Sequence, residues 1–434
     1  MSRIRAVSRS LFTLGMLVGL TGAVLGQSTE YAITHITLIN PGSDKSEPDQ
    51  TIVISGDTIK GVVSSTRFTP SSSIRLIDGR GKFVIPGLWD MHVHFRDPRR
   101  DLEMDIANGV LGIRDMGDVA QDRFSLRNAM AQGQQAGPKI VACGPMKLRN
   151  FGSPSLPSAI SVHEASNAGQ RSLEHGIALA GGSTVEAAYI ERRLDQSAFQ
   201  EAMRTKNFSL IPAKIAHDET LMLDHFIQPL VDKTYSLLAT NGTFITPTLV
   251  TQRALTFVDD LNKENDPRMQ YVSAEELNWW KPENGMLTKY RTREYIAMRK
   301  REYDLLLKEV HRAQTMGVRL LAGTDITIPF TYPGFSLHDE LALFVKAGLT
   351  PSQALETAAT NPALLLGLST KWGRVSSGYV ANFVLLNADP LLDIGNTKKI
   401  HGVVRNGEFL DRTRLDQMLH DAQVTGQSRT STSR

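Results

Sequence analysis

Cysteine is nearly missing from this chain: Cys143 is the only one in 434 residues. A lone thiol makes no intramolecular disulfide and cannot build a cysteine-based zinc site. Stability therefore has to come from a packed core rather than from covalent staples. An excess of one charge is missing as well. The formal net charge is +3, and Arg3, Arg5 and Arg9 account for it within the first ten residues, where no acid accompanies them. A neutral remainder without a basic run gives no electrostatic case for binding nucleic acid. Long apolar runs are also absent, with one exception. "LFTLGMLVGLTGAVLG" is sixteen uncharged residues that follow the basic "MSRIRAVSRS". The run is shorter than the ~20 residues of a membrane span. Its basic start and small-residue end mark a secretory signal peptide over residues 1–26. The sequence thus predicts an exported protein, periplasmic or secreted, with no stable membrane span after cleavage. No cysteine follows the run, so a lipid-anchored cysteine is not available there.

What remains is ordinary globular composition, 41% hydrophobic and 21% charged, with enough length for a large core. Residues 30–84 alternate apolar and polar positions, and Ser55-Gly56-Asp57 supplies a turn between two predicted strands. From "KFVIPGLWDMHVHF" onward, short apolar runs alternate with helical stretches: "GVLGIRDMGD", "PKIVACGP", "RSLEHG", "TFITPTLV" and "GVRLLAGTD". That alternation predicts parallel α/β architecture. Polar residues at the run ends, such as Asp115, His175 and Asp325, suit a (β/α)8 barrel, which carries its chemistry at the C-terminal ends of its strands. Residues 255–300 are polar and helix-prone, an insertion or lid over the barrel mouth or else an exposed helical hairpin. Thr350 and Pro351 open a helix that should stop before Asn361-Pro362. Strands resume after it, with Asn406-Gly407 as a hairpin turn. Strands at both ends of the chain predict a small composite β-sandwich, residues 27–84 plus 370–412, around a barrel of residues 85–369. Residues 421–434 read as a disordered tail.

"MHVHF" places His92 and His94 two residues apart at a strand end, where a period of two sends both imidazoles to one face. Asp325, ending "LLAGTD", is a carboxylate able to bind metal and to take a proton from water, or simply to cap a following helix. His175 ends "SLEHG".

These stretches together resemble the amidohydrolase superfamily. The carriers are "VIPGLWDMHVHF", "GVLGIRDMGD", "AGQRSLEHG", "LLAGTD" and "SLHDELALFVKAGLTPSQALETAATNPALLLGL". The closest branch is that of the imidazolonepropionase-like and Xaa-Pro-dipeptidase-like hydrolases, and the similarity runs from about residue 30 to 412. The resemblance implies a metal-dependent barrel that hydrolyses amide, peptide or cyclic amide bonds with metal-activated water. It implies His92, His94, His175 and Asp325 as metal ligands and Asp325 also as the general base; His338 is either a histidine near the substrate or a plain buried or capping one. Zn²⁺ is the favoured metal, one or two ions, since histidine and carboxylate donors suit it, although such sites also take Mn²⁺, Co²⁺ or Fe²⁺. A dipeptide-like or other small-molecule substrate and a homo-oligomer are the expected partners. "HVHFRDP" also resembles cyclic imidases such as dihydroorotase, where the arginine after the histidine pair binds a substrate carboxylate; here that is Arg96.

One part of the pattern is missing. The branch carries a bridging lysine on strand 4 and a histidine on strand 5, usually about twenty residues before the strand-6 histidine. That position is Ser155. His163 lies twelve residues before His175, too close for a strand end, a crossover helix and another strand. It reads as an exposed helix histidine. Lys147 is the only lysine in the gap, and it follows the third strand too directly. The sequence therefore predicts an incomplete barrel, lacking strand 4 and most of strand 5. A catalytically impaired remnant that binds one metal or none is the alternative to an active hydrolase.

Overall fold

A computed structural model of the protein describes residues 30–94, 97–117, 123–132, 136–142, 171–175, 197–258, 265–281, 284, 289–326 and 328–428. The signal peptide, Arg96, Cys143, Lys147, Ser155 and His163 lie outside the described residues, and so does the whole of residues 143–170, where the sequence lacks strands 4 and 5. Among the described residues no helix is long and apolar enough to cross a membrane.

The chain enters through β1 (Tyr31–Leu38), β2 (Glu47–Ser55), β3 (Thr58–Ser64), β4 (Arg75–Asp78) and β5 (Phe83–Pro86). It then turns to short parallel segments: β6 (Leu88–Val93), β7 (Val110–Asp115), β8 (Lys139–Ala142), β9 (Ser172–Glu174) and β10 (Phe244–Thr246). It returns through β11 (Phe383–Leu386), β12 (Ile400–Arg405) and β13 (Glu408–Asp411).

Strands from the two ends share one sheet, in the order β13-β12-β11-β5-β1-β2-β3, with β4 also on β1. Among the described residues this is a single mixed sheet rather than two facing sheets. Its centre is buried on both faces because side chains alternate across it. Ile85, Val384 and Leu386 join the main core. Val84, Phe383 and Leu385 pack on the other side with Ile33, Ile52 and Ile54. The hairpin turn Asn406-Gly407 has φ of 48° and 80°, the left-handed pair that a two-residue turn needs. Asn382 accepts from the Asn406 backbone N–H at 2.7 Å and donates to its side chain at 3.0 Å. It therefore serves this turn.

The second group forms a parallel arc. β6 pairs with β7, β7 with β8, and β9 with β10. The "LLAGTD" segment, read as a strand, is extended chain held by two bridges, Ile245 to Leu320 and Val93 to Ile326. It lies between β10 and β6, so six parallel segments run side by side. Helices wrap them: α1 (Pro98–Ala107), α2 (Arg123–Ala131), α3 (Ser197–Thr205), α4 (Leu210–Asp224), α5 (Gln228–Asn241), α6 (Leu249–Thr256), α7 (Ala274–Trp280), α8 (Arg293–Thr315), α9 (Phe335–Ala347), α10 (Pro351–Ala358), α11 (Thr360–Leu365) and α12 (Arg412–Ser428). Ile106, Ile113, Leu249, Leu341 and Phe344 close the core between arc and helices. Full burial of a side chain such as Phe344 contributes about 1.5–3 kcal/mol.

The helix from Pro351 ends at Ala358, before Asn361-Pro362 as the sequence predicts, and a separate helix runs through that pair. Pro362 sits in its first turn, where a missing N–H costs nothing. Residues 421–428 belong to α12 rather than to a disordered tail. Leu415, Met418 and Ala422 are buried at helical spacing, and a Cβ on Gly426 would lie 2.6 Å from the Tyr271 carbonyl. Small residues read as disorder-prone are here what allows close packing.

The segment around 265–281 is not an exposed hairpin. Ser273 and Glu276 form a capping box at the start of α7. Arg100 donates to both Glu276 oxygens, at 2.5 and 2.9 Å, and Tyr271 stacks on Phe335 with ring centroids 5.4 Å apart. Burial opposes ionisation of Glu276, but the Arg100 bonds and charge outweigh it and hold its pKa down to about 2. A depressed carboxylate stabilises the fold above its unfolded pKa of about 4.3, and that contribution is lost as pH falls through the folded value. Glu276→Gln should cost about 2 kcal/mol at pH 7 and flatten the stability profile between about pH 4.5 and 2. Urea titrations at stepped pH would check this, and an unchanged slope would assign the acid sensitivity elsewhere.

Candidate metal centre

The arc brings three of the sequence-predicted residues to one point. His92 sits near the end of β6, His94 one residue beyond it, and Asp325 at the end of the extended segment beside β6. The Asp325 backbone N–H donates to the His92 carbonyl at 2.7 Å. Gly323 makes this approach possible, because a Cβ there would lie 2.7 Å from His92 Cβ. One donor atom from each of His92, His94 and Asp325 lies within 4.8 Å of the others. Each histidine Nε2 is 3.6 Å from Asp325 Oδ1. Tetrahedral donors on bonds of about 2.0–2.1 Å would stand about 3.3 Å apart, so the spacing fits one metal ion.

The far side of each ring is already engaged. His92 Nδ1 donates to Glu174 Oε2 at 2.9 Å, and His94 Nδ1 donates to the Gly117 carbonyl at 2.7 Å. A carbonyl or carboxylate can only accept, so both rings carry hydrogen on Nδ1 and turn an Nε2 lone pair toward Asp325. Carboxylate or carbonyl on one nitrogen and metal on the other is the usual state of a ligating histidine.

The electrostatics suit a cation too. Burial, then the charges of Asp90 and Glu174, raise the Asp325 pKa to about 7; a bound cation reverses that balance. Burial works against the Glu174 carboxylate, yet the His92 bond and the Arg114 charge hold its pKa down to about 2.

His175 lies at the edge of this cluster. Its ring centroid is 4.6 Å from that of His92, and its Nδ1 is 3.0 Å from the Thr248 hydroxyl and 3.9 Å from Asp325 Oδ2. Burial, then the neighbouring His92, lower its pKa to about 4, which keeps it in the neutral form a ligand needs. His175, Thr248 and Asp325 have φ of 66°, 50° and 52°, a left-handed conformation that non-glycine residues adopt at a cost.

His338 stands apart. Its Nε2 donates to the Asn108 carbonyl and its Nδ1 meets the Thr397 hydroxyl, both at 3.0 Å. It is 1% exposed and forms part of the wall of a cleft of about 540 Å³ with Asn108, Arg268, Phe335 and Lys398. Both ring nitrogens are spent on joining α1, α9 and the turn before β12, which leaves none for a substrate at the histidine cluster.

Several residues of the site were not singled out from the sequence. Asp90 accepts from the Thr324 N–H at 3.0 Å, the Thr324 hydroxyl at 2.5 Å and the His92 N–H at 3.2 Å, and so ties β6 to the segment that carries Asp325. Glu174 and Arg114 back His92. Glu340 accepts from the Leu249 and Val250 N–H groups at 2.9 and 2.7 Å, at the start of α6. Charged residues inside apolar strand runs, as in "LWDMHV" and "GIRD", are the signal that could have found the first of these.

Residues 231–410 match the model of the amidohydrolase family. The dihydroorotase of Carboxydothermus hydrogenoformans is 58% identical over 38 residues, 9% of each protein, so the chain matches only a small part of that curated relative's length. Solved structures agree over far more of the chain. A Xaa-Pro dipeptidase with methionine bound in its active site aligns over 88% of this chain and 100% of its own, with a TM-score of 0.59 and 17% identity. A bottromycin amidohydrolase aligns over 92% of this chain and 91% of its own, with a TM-score of 0.60 and 17% identity. These likenesses carry the fold, a TIM-barrel-type α/β architecture. The family match over residues 231–410, that fold and a histidine pair facing an aspartate at the segment ends all agree with the resemblance of the chain to the amidohydrolase superfamily.

Proposed function

We propose that the protein is an exported, metal-dependent hydrolase of C–N bonds in small amide, peptide or cyclic amide substrates. One observation carries the reading: His92 Nε2, His94 Nε2 and the Asp325 carboxylate converge while both Nδ1 atoms are engaged elsewhere. His92, His94 and Asp325 would hold one divalent ion, Zn²⁺ first by donor type, with His175 the neutral donor beside them. When bound, the ion is a Lewis acid that makes water nucleophilic near neutral pH. Asp325 would take a proton from the water as its oxygen adds to the substrate carbonyl carbon, and return it to the amide nitrogen as the C–N bond breaks. Asp90 keeps the Asp325 segment in register with β6, and Gly323 lets that segment approach.

We read the site as mononuclear because the sequence offers no bridging lysine in its usual place. The incomplete barrel, the domain limits 27–84 plus 370–412 and 85–369, the cleaved signal and a homo-oligomeric assembly belong to the same proposal. Among substrates, Xaa-Pro dipeptides come first, since the strand-6 and strand-8 motifs resemble that branch. Dihydroorotate is the competing choice, favoured by "HVHFRDP" and by the short dihydroorotase match.

Metal content per chain by plasma mass spectrometry, on protein purified without chelator, tests the site. About one ion per chain is expected. None after dialysis against Zn²⁺ and Mn²⁺ would favour the impaired remnant. Xaa-Pro dipeptides, N-acyl amino acids and dihydroorotate assayed side by side test the substrate class, and turnover of dihydroorotate alone would move the assignment to cyclic imides.

A further inference from the structure

We propose that Arg114 and Glu174 act as a positioning relay that fixes His92 for metal binding; the proposal rests on the metal-dependent reading above. Glu174 uses its two oxygens differently. Oε2 takes the His92 Nδ1 hydrogen at 2.9 Å. Oε1 takes Arg114 Nη2 at 2.7 Å and the Ser172 hydroxyl at 2.9 Å.

Arg114 reaches further. From β7 its Nε donates to the Met91 carbonyl on β6 at 2.7 Å. Nη1 donates to Ser172 on β9 at 2.6 Å, and Nη2 also meets Thr246 on β10 at 3.3 Å. One rigid guanidinium fork therefore joins four segments of the arc. Met91 immediately precedes His92, so the backbone and the ring of His92 are both held, one by Arg114 directly and the other through Glu174.

The relay is enclosed: the Arg114, Glu174 and His92 side chains are 7%, 18% and 4% exposed. Charge-assisted bonds in such surroundings are short and strong. A carboxylate on Nδ1–H does two things for the opposite nitrogen. It selects the tautomer whose Nε2 lone pair faces Asp325, and it makes that lone pair a better donor. A lysine at position 114 would keep the charge but not the fork. Both residues are positioning residues: neither faces the point where the His92, His94 and Asp325 donors meet.

The alternative is a strut that holds the arc together and leaves the metal indifferent. Two readouts on the full-length protein separate the cases. Zn²⁺ affinity is measured by competition with a chromogenic chelator for the wild type, Glu174→Gln, Glu174→Ala and Arg114→Lys. The His92 tautomer is read in zinc-free protein labelled with ¹⁵N-histidine, from long-range ¹H–¹⁵N correlations. Glu174→Gln should weaken Zn²⁺ binding about 10–100-fold and shift His92 toward the Nε2–H tautomer, because the amide oxygen stays with the Arg114 and Ser172 donors and its NH2 faces Nδ1. Glu174→Ala should weaken binding at least as much and shift His92 toward the Nε2–H tautomer. Arg114→Lys should fall between the wild type and Glu174→Gln. Zn²⁺ affinity equal to that of the wild type in Glu174→Gln, whatever its melting temperature, overturns the relay and leaves a strut. A wild type that binds no Zn²⁺ overturns the metal-dependent reading and the relay with it.

Discussion

Asp325→Asn should lower kcat by about 10²–10⁴-fold if Asp325 is the proposed proton acceptor, on whichever C–N substrate the screen finds. The substitution is close to isosteric, and the position suits it. Asp325 has a φ of 52°, and asparagine tolerates the left-handed region better than most residues. The backbone bond to the His92 carbonyl does not involve the side chain. The variant should therefore fold, and circular dichroism and thermal melting should match the wild type. What changes is chemical. A carboxylate between two imidazoles becomes an amide that cannot take a proton and is a weaker metal donor. Measuring kcat at saturating metal separates these effects, since restored metal occupancy without restored turnover isolates the proton transfer. Full activity in the loaded variant would move the general base elsewhere.

Glu340→Ala should cost about 3 kcal/mol of stability, measured by urea unfolding. The side chain is fully buried and accepts from the Leu249 and Val250 N–H groups. Alanine leaves both donors at the start of α6 without a partner, at about 1–3 kcal/mol for each unsatisfied group, and opens a small void. Glu340→Gln keeps one good acceptor and should cost about half as much. The effect should extend to the candidate site, because Thr248, which meets His175 Nδ1, directly precedes α6. A loss under about 1 kcal/mol would mean that water replaces the carboxyl without penalty.

The sequence carried the cluster further than it carried its support. His92 and His94 were legible because a strand end with a period of two leaves few other geometries. Asp325 was legible because an apolar run ended on it. Asp90, Arg114, Glu174 and Glu340 were not, because each matters through a partner 82 to 234 residues away or on another segment. No local pattern encodes such a pairing. His338 was legible only as one of two possibilities, a histidine near a substrate or a plain buried one, and its bonds to Asn108 and Thr397 favour the second. The composite sheet was legible from alternation at both ends of the chain, whereas the end of α12 was hidden because it runs into "TGQSRTSTSR", rich in serine and threonine.

His175, Thr248 and Asp325 end consecutive segments of the arc, and each holds a backbone conformation that glycine adopts without cost. Strained residues of this kind carry about 1–3 kcal/mol each. A campaign to raise the melting temperature would thus find its easiest gains at these three positions, and glycine at two of them would remove a candidate donor. Selection for heat tolerance and selection for turnover pull on the same few bonds. Variants recovered by stability screening alone should accumulate glycine where the chemistry needs a side chain.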